Sequence, residues 1–332
     1  MEIIDLIRTF LTPQAIAVQM TNRQPAPQRI RNLIYGEGLQ HPFAAITLAE
    51  LKRTLTNVPV VRRGSAAFAM NLGNGDLTTI DVQGFELSDF LTATEINNLK
   101  MVSSQAAQSF VEARINHMLD TIQRSTEALC AQGLTGKLVY PMKTDLAEDT
   151  YEVDFGDTQN FTPPLLWNGT GAKIVDVFET LSEMHGKLQA TGNGANPVTL
   201  AGRKSFSQII NLADESKSNI VQVKIINNNE ISVGGYTVQL ENGVYRTTGN
   251  VMTRTVDENK VVMVDKDAGH SLRYLALDDL ESGLLPMPFY PSQELKKNPS
   301  GMEIVGRSKP LPAPVVGAIC WSTVMAAAKS AK

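Results

Sequence analysis

The chain has 332 residues, of which 42% are hydrophobic and 19% are charged, so it is too apolar for a disordered protein and long enough for one or two folded domains. Its net charge of −4 argues against a dedicated nucleic-acid binder, because phosphate binding needs concentrated lysine and arginine. No long apolar run and no basic, apolar leader occurs, so the sequence predicts no membrane span and a protein kept in a cytoplasm.

The first 40 residues predict an arm and not an independent domain. Ile3–Ile7 is typical of a short apolar helix. A polar stretch with spaced prolines follows at residues 24–28, and this composition favours an extended chain. We therefore expect residues 1–40 to gain order from neighbouring molecules.

Residues 41–90 predict a long β-hairpin. Strand-like runs occur within residues 57–72 and again at 77–82. Gly73-Asn74-Gly75-Asp76 lies between them and has strong turn chemistry. An isolated hairpin is marginally stable in water, so this one is expected to lie against another surface.

Residues 92–132 give the clearest helical pattern. Thr92 and Glu95 match a capping box, and apolar residues then recur at three- and four-residue steps. Gly133 predicts the helix stop. About 30 residues make a rod of roughly 45 Å, which is long for a globular domain.

The remainder of the chain predicts a mixed arrangement of helices and strands. A strand pair is expected at 137–140 and 151–156, helices at 174–190 and 201–213, strands at 219–226, 236–241, 244–247 and 261–265, and a last strand at 315–324 after the proline-rich residues 309–314. The fold class is therefore α+β.

Candidate chemistry is sparse, and the sequence predicts no catalytic, cofactor-binding or metal-binding residue. No histidine has a partner at metal-ligand spacing, residues 169–173 lack the spacing of a phosphate loop, the acidic run reads as a solvated hairpin turn, and the cysteines read as small buried residues. The residues considered were His41, His117, His185, His270, Asp145, Glu148, Asp149, Asp154, Cys130 and Cys320.

The arm, the hairpin and the long helix together favour a building subunit over an enzyme. An arm and a thin hairpin expose backbone and cost ordering entropy in an isolated monomer. Both features make sense where neighbouring copies cover them in a ring or shell of repeated contacts.

A family resemblance makes this expectation specific. The segments that carry it are Arg62-Arg63-Gly64, helix 101–132, Tyr151–Gly156, Asn242–Tyr245, Asp257–Met263 and Leu311–Pro314. In this order they resemble the lambda-type phage major capsid protein E family, which has the Hong Kong 97-type capsid fold. The resemblance covers residues 40–326. It departs at Val256-Asp257-Glu258, where the family often has proline in the turn.

The resemblance implies a particular division of the chain. It gives an N-terminal arm at 1–40, an extended loop at 41–90, a peripheral domain with a spine helix at 91–165, an axial α/β domain at 166–300 and a C-terminal return to the peripheral domain at 301–332.

The resemblance also implies a mechanical function. Such subunits form hexamers and pentamers around packaged double-stranded DNA, without reading its sequence, in a virion capsid assembled in the host bacterial cytoplasm. Scaffolding, decoration and portal proteins are the further partners that it implies. Arg62 and Arg63 are the residues expected to form intersubunit salt bridges, against the alternative of two solvated strand-edge charges.

The namesake of the fold links its shell covalently, through a loop lysine joined to an asparagine of a neighbour. No lysine occurs between Lys52 and Lys100, and arginine cannot serve as the nucleophile because it stays protonated. The sequence therefore predicts a non-covalent shell.

Two other functions remain open at this point. One is an encapsulin-like shell, which has the same fold and encloses enzymes instead of DNA. The other is a soluble α/β enzyme with residues 166–300 as its catalytic domain, which would need a pocket of convergent polar groups.

Overall fold

The computed structural model describes residues 3–22, 27–51, 79–144, 148–216, 221–246 and 251–326. Its helices are α1 Ile3–Phe10, α2 Pro13–Asn22, α3 Leu48–Leu51, α4 Ala93–Leu99, α5 Ser104–Gly133, α6 Ile174–Ala190 and α7 Arg203–Glu215, with a π-helical turn at Arg31–Tyr35 and a 3-10 turn at Val316–Ala318.

Nineteen strands are found in the described residues. They are β1 Leu39–His41, β2 Ala45–Thr47, β3 Thr79–Asp81, β4 Phe85–Thr92, β5 Lys137–Lys143, β6 Glu148–Asp154, β7 Gln159–Phe161, β8 Pro197–Ala201, β9 Val223–Asn227, β10 Glu230–Val233, β11 Tyr236–Leu240, β12 Val244–Arg246, β13 Met252–Arg254, β14 Lys260–Asp265, β15 Ser271–Leu275, β16 Tyr290–Lys297, β17 Ser300–Ser308, β18 Pro310–Ala313 and β19 Ile319–Thr323.

The helical region predicted at 92–132 is two helices and not one. The capping box is present, because Thr92 Oγ1 accepts from the Glu95 backbone and Glu95 accepts from the Thr92 backbone at 2.8 Å. It caps the short α4, however, and the chain turns at residues 100–103 before Ser103 caps α5. A second capping residue therefore gives α5 its own start.

The N-terminal residues 3–22 are helical, which differs from the extended arm expected from their composition. α1 and α2 pack on α5 through the buried side chains of Ile7, Leu11 and Ile16. Gln19 also donates to the Glu112 carbonyl at 3.2 Å. Apolar residues at helical spacing find a partner surface within the same chain, and burying them offsets the cost of ordering the segment.

A three-stranded antiparallel sheet covers α5. β17 lies between β16 and β4, and its alternate residues Met302 and Ile304 are buried against the helix. Along α5, the facing positions Val111, Ile115 and Met118 recur every three or four residues. Buried residues recur at every second position in the strand and at every third or fourth position in the helix, and the two sets pack together in this core.

A larger mixed sheet contains seven strands in the order β7-β19-β14-β8-β11-β10-β9. α6 and α7 cover one face, which buries Val261 and Met263 of β14. The other face buries Val262 and Val264 against the end of α5 and the 30–35 segment. Covering on both faces explains why β14 is apolar at consecutive positions.

The hydrogen bonding divides the chain differently from the boundaries expected from the sequence. β16 falls within the predicted axial range 166–300, yet it pairs with β17 in the sheet on α5. β19 falls within the predicted return at 301–332, yet it pairs with β14 in the seven-stranded sheet. After residue 289 the chain forms β16 and β17 in the sheet on α5, pairs with β15 as β18, and enters the seven-stranded sheet as β19.

Several predicted elements are confirmed. β5 and β6 form the expected antiparallel pair, and α6 has the expected bounds. The final strand is shorter than expected, because the 3-10 turn occupies residues 316–318. None of the helices in the described part of the chain is long and apolar enough to cross a membrane.

Candidate assembly surfaces

The predicted extended loop has a well-ordered base. β2 pairs antiparallel with β3, with Ile46 opposite Ile80. Both isoleucines are buried in one apolar cluster, together with Leu138 and Phe155. Residues 48–78 therefore begin and end side by side on the body of the subunit.

Arg62, Arg63 and the Asn74-Gly75 turn lie outside the described residues, as does most of the predicted hairpin. The position of the loop base shows that one lysine lies within the loop. Lys52 follows α3 directly and falls within the segment that joins β2 to β3. The lysine-free stretch therefore covers residues 53–78 of this segment and not all of it.

Arg114 on α5 links the long helix to strand β4. Its guanidinium donates to Asp89 of β4 at 2.8 and 2.9 Å and to Glu95 of α4. Phe110, one turn earlier on α5, supports it by stacking 4.8 Å from the guanidinium. This fork of hydrogen bonds fixes the angle between β4, α4 and α5.

Residues 27–35 brace α5 against the large sheet. Glu127 of α5 accepts backbone hydrogen bonds from Ile30 at 2.6 Å and Arg31 at 3.0 Å. Arg29 donates to the Leu240 carbonyl at 2.6 Å and pairs with the buried Glu241 at 3.4 Å. Burial raises the pKa of Glu127, and the nearby Glu241 charge raises it further.

Arg307 of β17 forms a second network, on the face of the β16-β17-β4 sheet that points away from α5. It pairs with Glu86 of β4 at 2.7 Å and with Asp279 of the turn before β16. The adjacent Lys309, 4% exposed, donates to Asp278 at 2.8 Å. These contacts hold the β15–β16 connection on the surface of the sheet.

The histidines have structural surroundings. His270 accepts from the Val315 backbone at 3.0 Å and contacts the Asp265 carbonyl at 3.1 Å, and burial lowers its pKa to about 4. His185 contacts Tyr236 and the Gly194 carbonyl. His117 is exposed on α5, and His41 stacks edge-on with Phe43.

The described residues contain no group of three or more histidine, cysteine or acidic side chains that could hold a metal ion. Both cysteines are buried and unpaired, and burial raises their pKa, which suppresses the reactive thiolate. Within the acidic run, Asp154 pairs with Lys137 at 2.8 Å across the hairpin, and Asp145 lies outside the described residues.

One cavity in the described part of the chain borders a carboxylate whose hydrogen bonds are already made. A cavity of about 830 Å³ is lined by Asp265, whose carboxylate is already engaged by four backbone N–H groups. Burial alone would raise the pKa of Asp265, but these donors outweigh it and lower the pKa. Asp265 is therefore a clamp on its loops and not a general base.

Sequence reasoning missed the residues that organise these surfaces, namely Arg29, Arg114, Glu127 and Arg307. Their partners lie far away in the chain; Arg307 and Glu86, for example, are 221 positions apart. No local pattern marks such pairs, so only the sheet register could have revealed them.

Comparison with known protein families gives a match over nearly the whole chain. The family model for the phage major capsid protein E matches residues 12–324. No curated protein matches significantly.

Among solved structures, a prophage capsid protein from E. coli CFT073 is similar with a TM-score of 0.62 and 16% identity, covering 94% of this chain and 98% of that one. A phage-related protein from Bordetella bronchiseptica RB50 gives 0.48 and 10%, covering 94% and 97%. The encapsulin complex from Synechococcus elongatus PCC 7942 gives 0.47 and 9%, covering 93% and 95%. The first match confirms the α+β capsid fold expected from the sequence.

Proposed function

The chain belongs to the phage major capsid protein E family, a family of structural shell subunits, and from that premise we propose that it forms the hexamers and pentamers of an icosahedral capsid around double-stranded DNA. Copies of the chain assemble with one another into the shell. We further propose that the subunit has no catalytic activity and that its work is mechanical.

The observation that carries this proposal is the loop base. β2 and β3 fix the two ends of residues 48–78 beside each other in a buried cluster. A segment tied down at both ends can reach a neighbouring subunit without loosening its own fold. Its residues 52–78 contain four basic side chains and one acid, in a chain of net charge −4. This composition suits contact with an acidic neighbour.

Within that segment, Arg62 and Arg63 are the proposed intersubunit contacts. The double variant Arg62→Glu with Arg63→Glu should prevent shell formation while leaving the subunit folded, because reversed charges repel the acidic surface that they would meet. Arg8→Glu, a charge reversal at a half-exposed position of α1, is the matched control. Negative-stain electron microscopy counts the shells, and circular dichroism checks the fold. Normal shells from the double variant would refute the role of these arginines.

Electron microscopy of the purified full chain tests the proposal as a whole. Closed shells of uniform diameter are expected, and size-exclusion chromatography should give capsomers or shells. A small, stable oligomer with no shells would contradict the proposal and favour the soluble-enzyme alternative.

DNA, scaffolding, decoration and portal proteins are proposed partners, and the host bacterial cytoplasm is the proposed place of assembly. A mildly acidic subunit holds packaged DNA loosely, because like charges repel. Shells isolated from phage-producing cells should contain DNA without sequence preference. Shells filled with one enzyme and free of nucleic acid would instead favour the encapsulin-like alternative.

We also propose that the shell is held without covalent links. Lys52 is the single lysine in the segment between β2 and β3, and it lies at the beginning of that segment. Boiled shells in denaturing gels should give one band at the mass of the subunit. A ladder of multimers would contradict this, and its loss in Lys52→Arg would identify the amine responsible.

The division into an arm, an extended loop, a peripheral part and an axial part remains a proposal. The register supports assigning β16 to the peripheral part with α5, and β19 to the axial sheet. Limited proteolysis should first cut the segments that join these parts.

A further inference from the structure

Asn-Gly pairs undergo one spontaneous reaction more readily than other sequences, namely the loss of the asparagine side-chain amide. The backbone nitrogen of the glycine attacks the asparagine Cγ, and a five-membered succinimide ring forms. Glycine favours this step because it has no Cβ to obstruct the approach. The sequence contains four such pairs, at residues 74–75, 168–169, 193–194 and 242–243, and the last three lie in the described part of the chain.

Asn242 and Gly243 lie on the surface, in the short connection between β11 and β12. Both residues are exposed, and the Asn242 side chain makes no hydrogen bond within the described part of the chain. The Thr255 backbone donates to the Gly243 carbonyl at 2.9 Å, which holds the glycine in place. The asparagine side chain can therefore rotate over a glycine nitrogen that stays fixed.

A carboxylate lies against the nitrogen that would attack. Glu241 Oε1 accepts from the Gly243 backbone N–H at 2.6 Å, and the Glu241 side chain is only 4% exposed. Its other oxygen pairs with the Arg29 guanidinium at 3.4 Å, so the carboxylate is held from two sides. A general base needs this position, within hydrogen-bond reach of the proton that it removes.

The base and the attacked carbon approach the glycine nitrogen from different directions. The N–H points toward Glu241 within the peptide plane, whereas the nitrogen attacks through the face of that plane. A Cβ at residue 243 would lie 2.5 Å from Glu241 Oε1 and 2.8 Å from Thr255 Oγ1. Glycine is therefore required for the carboxylate to approach the nitrogen this closely.

Asn168 and Gly169 lack this arrangement. The Asn168 amide is held at both ends by Ala326, since its oxygen accepts from the Ala326 backbone at 3.1 Å and its nitrogen donates to the Ala326 carbonyl at 3.4 Å. Gly169 donates its N–H to the Leu166 carbonyl at 2.8 Å, and a carbonyl is not a base. The side chain is fixed and the proton has no acceptor that could take it.

Asn193 and Gly194 differ in another way. The Asn193 amide donates to the carbonyl and to the hydroxyl of Thr191, at 3.2 and 3.1 Å, so the side chain is held away from rotation. Gly194 donates to the Asp265 carboxylate at 2.6 Å. Burial opposes the shift, but four backbone donors together lower the pKa of Asp265, which makes it a weaker base.

We propose that the chain modifies itself at Asn242, with Glu241 as the general base. The Gly243 nitrogen bonds to Asn242 Cγ while its proton passes to Glu241 and then to the departing amide nitrogen, so ammonia leaves and a succinimide remains. Water then opens the ring at either carbonyl and gives aspartate or isoaspartate. The reaction occurs once in each subunit and turns over no substrate.

The product places a new carboxylate at the joint between α5 and the seven-stranded sheet. Glu127 and Glu241 already contribute two acids there, and their charges interact. Aspartate at residue 242 adds a third negative charge, and isoaspartate also lengthens the backbone between β11 and β12 by one atom. The age of a subunit is thereby recorded in the chemistry of this joint.

Peptide mass spectrometry of the purified full chain tests the proposal. The chain is incubated at neutral pH in ¹⁸O-labelled water, so that each ring opening adds a heavy oxygen, once folded and once in guanidinium chloride. Asn242 should lose its amide faster in the folded chain than in the denatured chain by about tenfold or more, the low end of what a positioned base contributes. Asn168 and Asn193 are internal controls and should react more slowly in the folded chain.

Glu241→Gln distinguishes a base from a hydrogen-bond partner. The amide keeps an acceptor oxygen for the Gly243 N–H but cannot take its proton, so the rate at Asn242 in the folded chain should fall by about tenfold or more. Glu183→Gln, the same exchange at an exposed position of α6, is the matched control and should leave that rate unchanged.

An Asn242 that reacts no faster in the folded chain than in the denatured chain would overturn the proposal. An unchanged rate in folded Glu241→Gln would also overturn it. Circular dichroism checks the fold of the variant, and if the variant is unfolded, the comparison of the folded and denatured unmodified chain decides. The measurement needs no shell, so its outcome is independent of the proposed function.

Discussion

Gly133 at the end of α5 allows a sharp test of the packing between the long helix and the 30–35 segment. An added Cβ at Gly133 would lie 2.4 Å from the Tyr35 hydroxyl oxygen, which is far inside van der Waals contact. Tyr35 is 4% exposed, and its hydroxyl has no hydrogen-bond partner among the described residues. The backbone φ of Gly133 is not positive, so the backbone conformation alone does not require glycine there. The position requires glycine because Tyr35 approaches it closely.

The magnitudes follow from two opposed effects. Replacing a helical glycine by alanine stabilises the helix by about 1 kcal/mol, whereas overpacking a buried site costs about 1–3 kcal/mol. Gly133→Ala should therefore destabilise the subunit by up to about 2 kcal/mol. Gly186 in the middle of α6 has no atom within 4 Å of its added Cβ, so Gly186→Ala should stabilise by about 0.5–1 kcal/mol.

Tyr35→Phe completes the cycle. It removes the clashing oxygen and leaves the ring carbon Cζ at 3.5 Å, an ordinary contact. The single change should be neutral or slightly stabilising, because the hydroxyl that it deletes is buried and unsatisfied. When Gly133→Ala is combined with Tyr35→Phe, the glycine replacement should become stabilising by about 0.5–1 kcal/mol, like Gly186→Ala.

Urea unfolding of the unassembled subunit measures the four free energies of unfolding. The expected coupling between the two positions is about 1–3 kcal/mol. If Gly133→Ala is equally stabilising with tyrosine and with phenylalanine at position 35, the clash does not exist and the packing described between α5 and the 30–35 segment is refuted.

Three further predictions concern charge and burial. Burial lowers the pKa of His270 to about 4, against an ordinary value near 6.5, so the side chain is neutral in the folded chain. The free energy of unfolding should therefore be higher by about 3 kcal/mol above pH 6.5, and this stability is lost as the pH falls toward 4. Melting curves should lose this pH dependence in His270→Gln and keep it in His117→Gln. Arg114→Met should lower the free energy of unfolding by about 1 kcal/mol, because its partners are partly solvated, whereas Arg8→Met should change it by less than about 0.5 kcal/mol; equal effects in urea titrations would argue against the fork. Ile7→Ala should destabilise by about 2–5 kcal/mol if α1 stays packed on α5, and an unchanged unfolding curve would show that α1 packs elsewhere.

Elements with strong local signals were predicted well from the sequence. α6 has both an apolar period and Asp176 in its first turn, and its bounds are those expected. The capping box at Thr92 was also identified correctly, but the sequence reading joined α4 to α5. A helical period continues across residues 100–103, so only the second cap at Ser103 marks the break.

Elements whose stability is non-local were missed. β16 and β18 begin at or contain proline, which argues against a strand when no partner is known. β8 is held between β14 and β11, neither of which is close to it in sequence. The N-terminal helices were interpreted as an arm because their partner surface, the face of α5 near Val111, lies 90 residues or more away.

The assembly surfaces were likewise predicted from the sequence only in part. The basic composition of residues 52–78 is visible in the sequence, so Arg62 and Arg63 could be nominated without a structure. The exposed turn that contains Leu280 could not, because solvent exposure of this side chain depends on the fold around it. An exposed leucine and a buried one look alike in a sequence.

The position of β19 has a consequence for quality control during synthesis. This strand, the last of the described chain, lies between β7 and β14, and Trp321 within it donates to the Leu134 carbonyl at the end of α5. A chain that ends before residue 319 lacks a strand inside its main sheet and leaves both neighbours with unpaired edges. The seven-stranded sheet can therefore close in full only after β19 has left the ribosome. A chain truncated before β19 therefore carries open strand edges, which favour aggregation over folding.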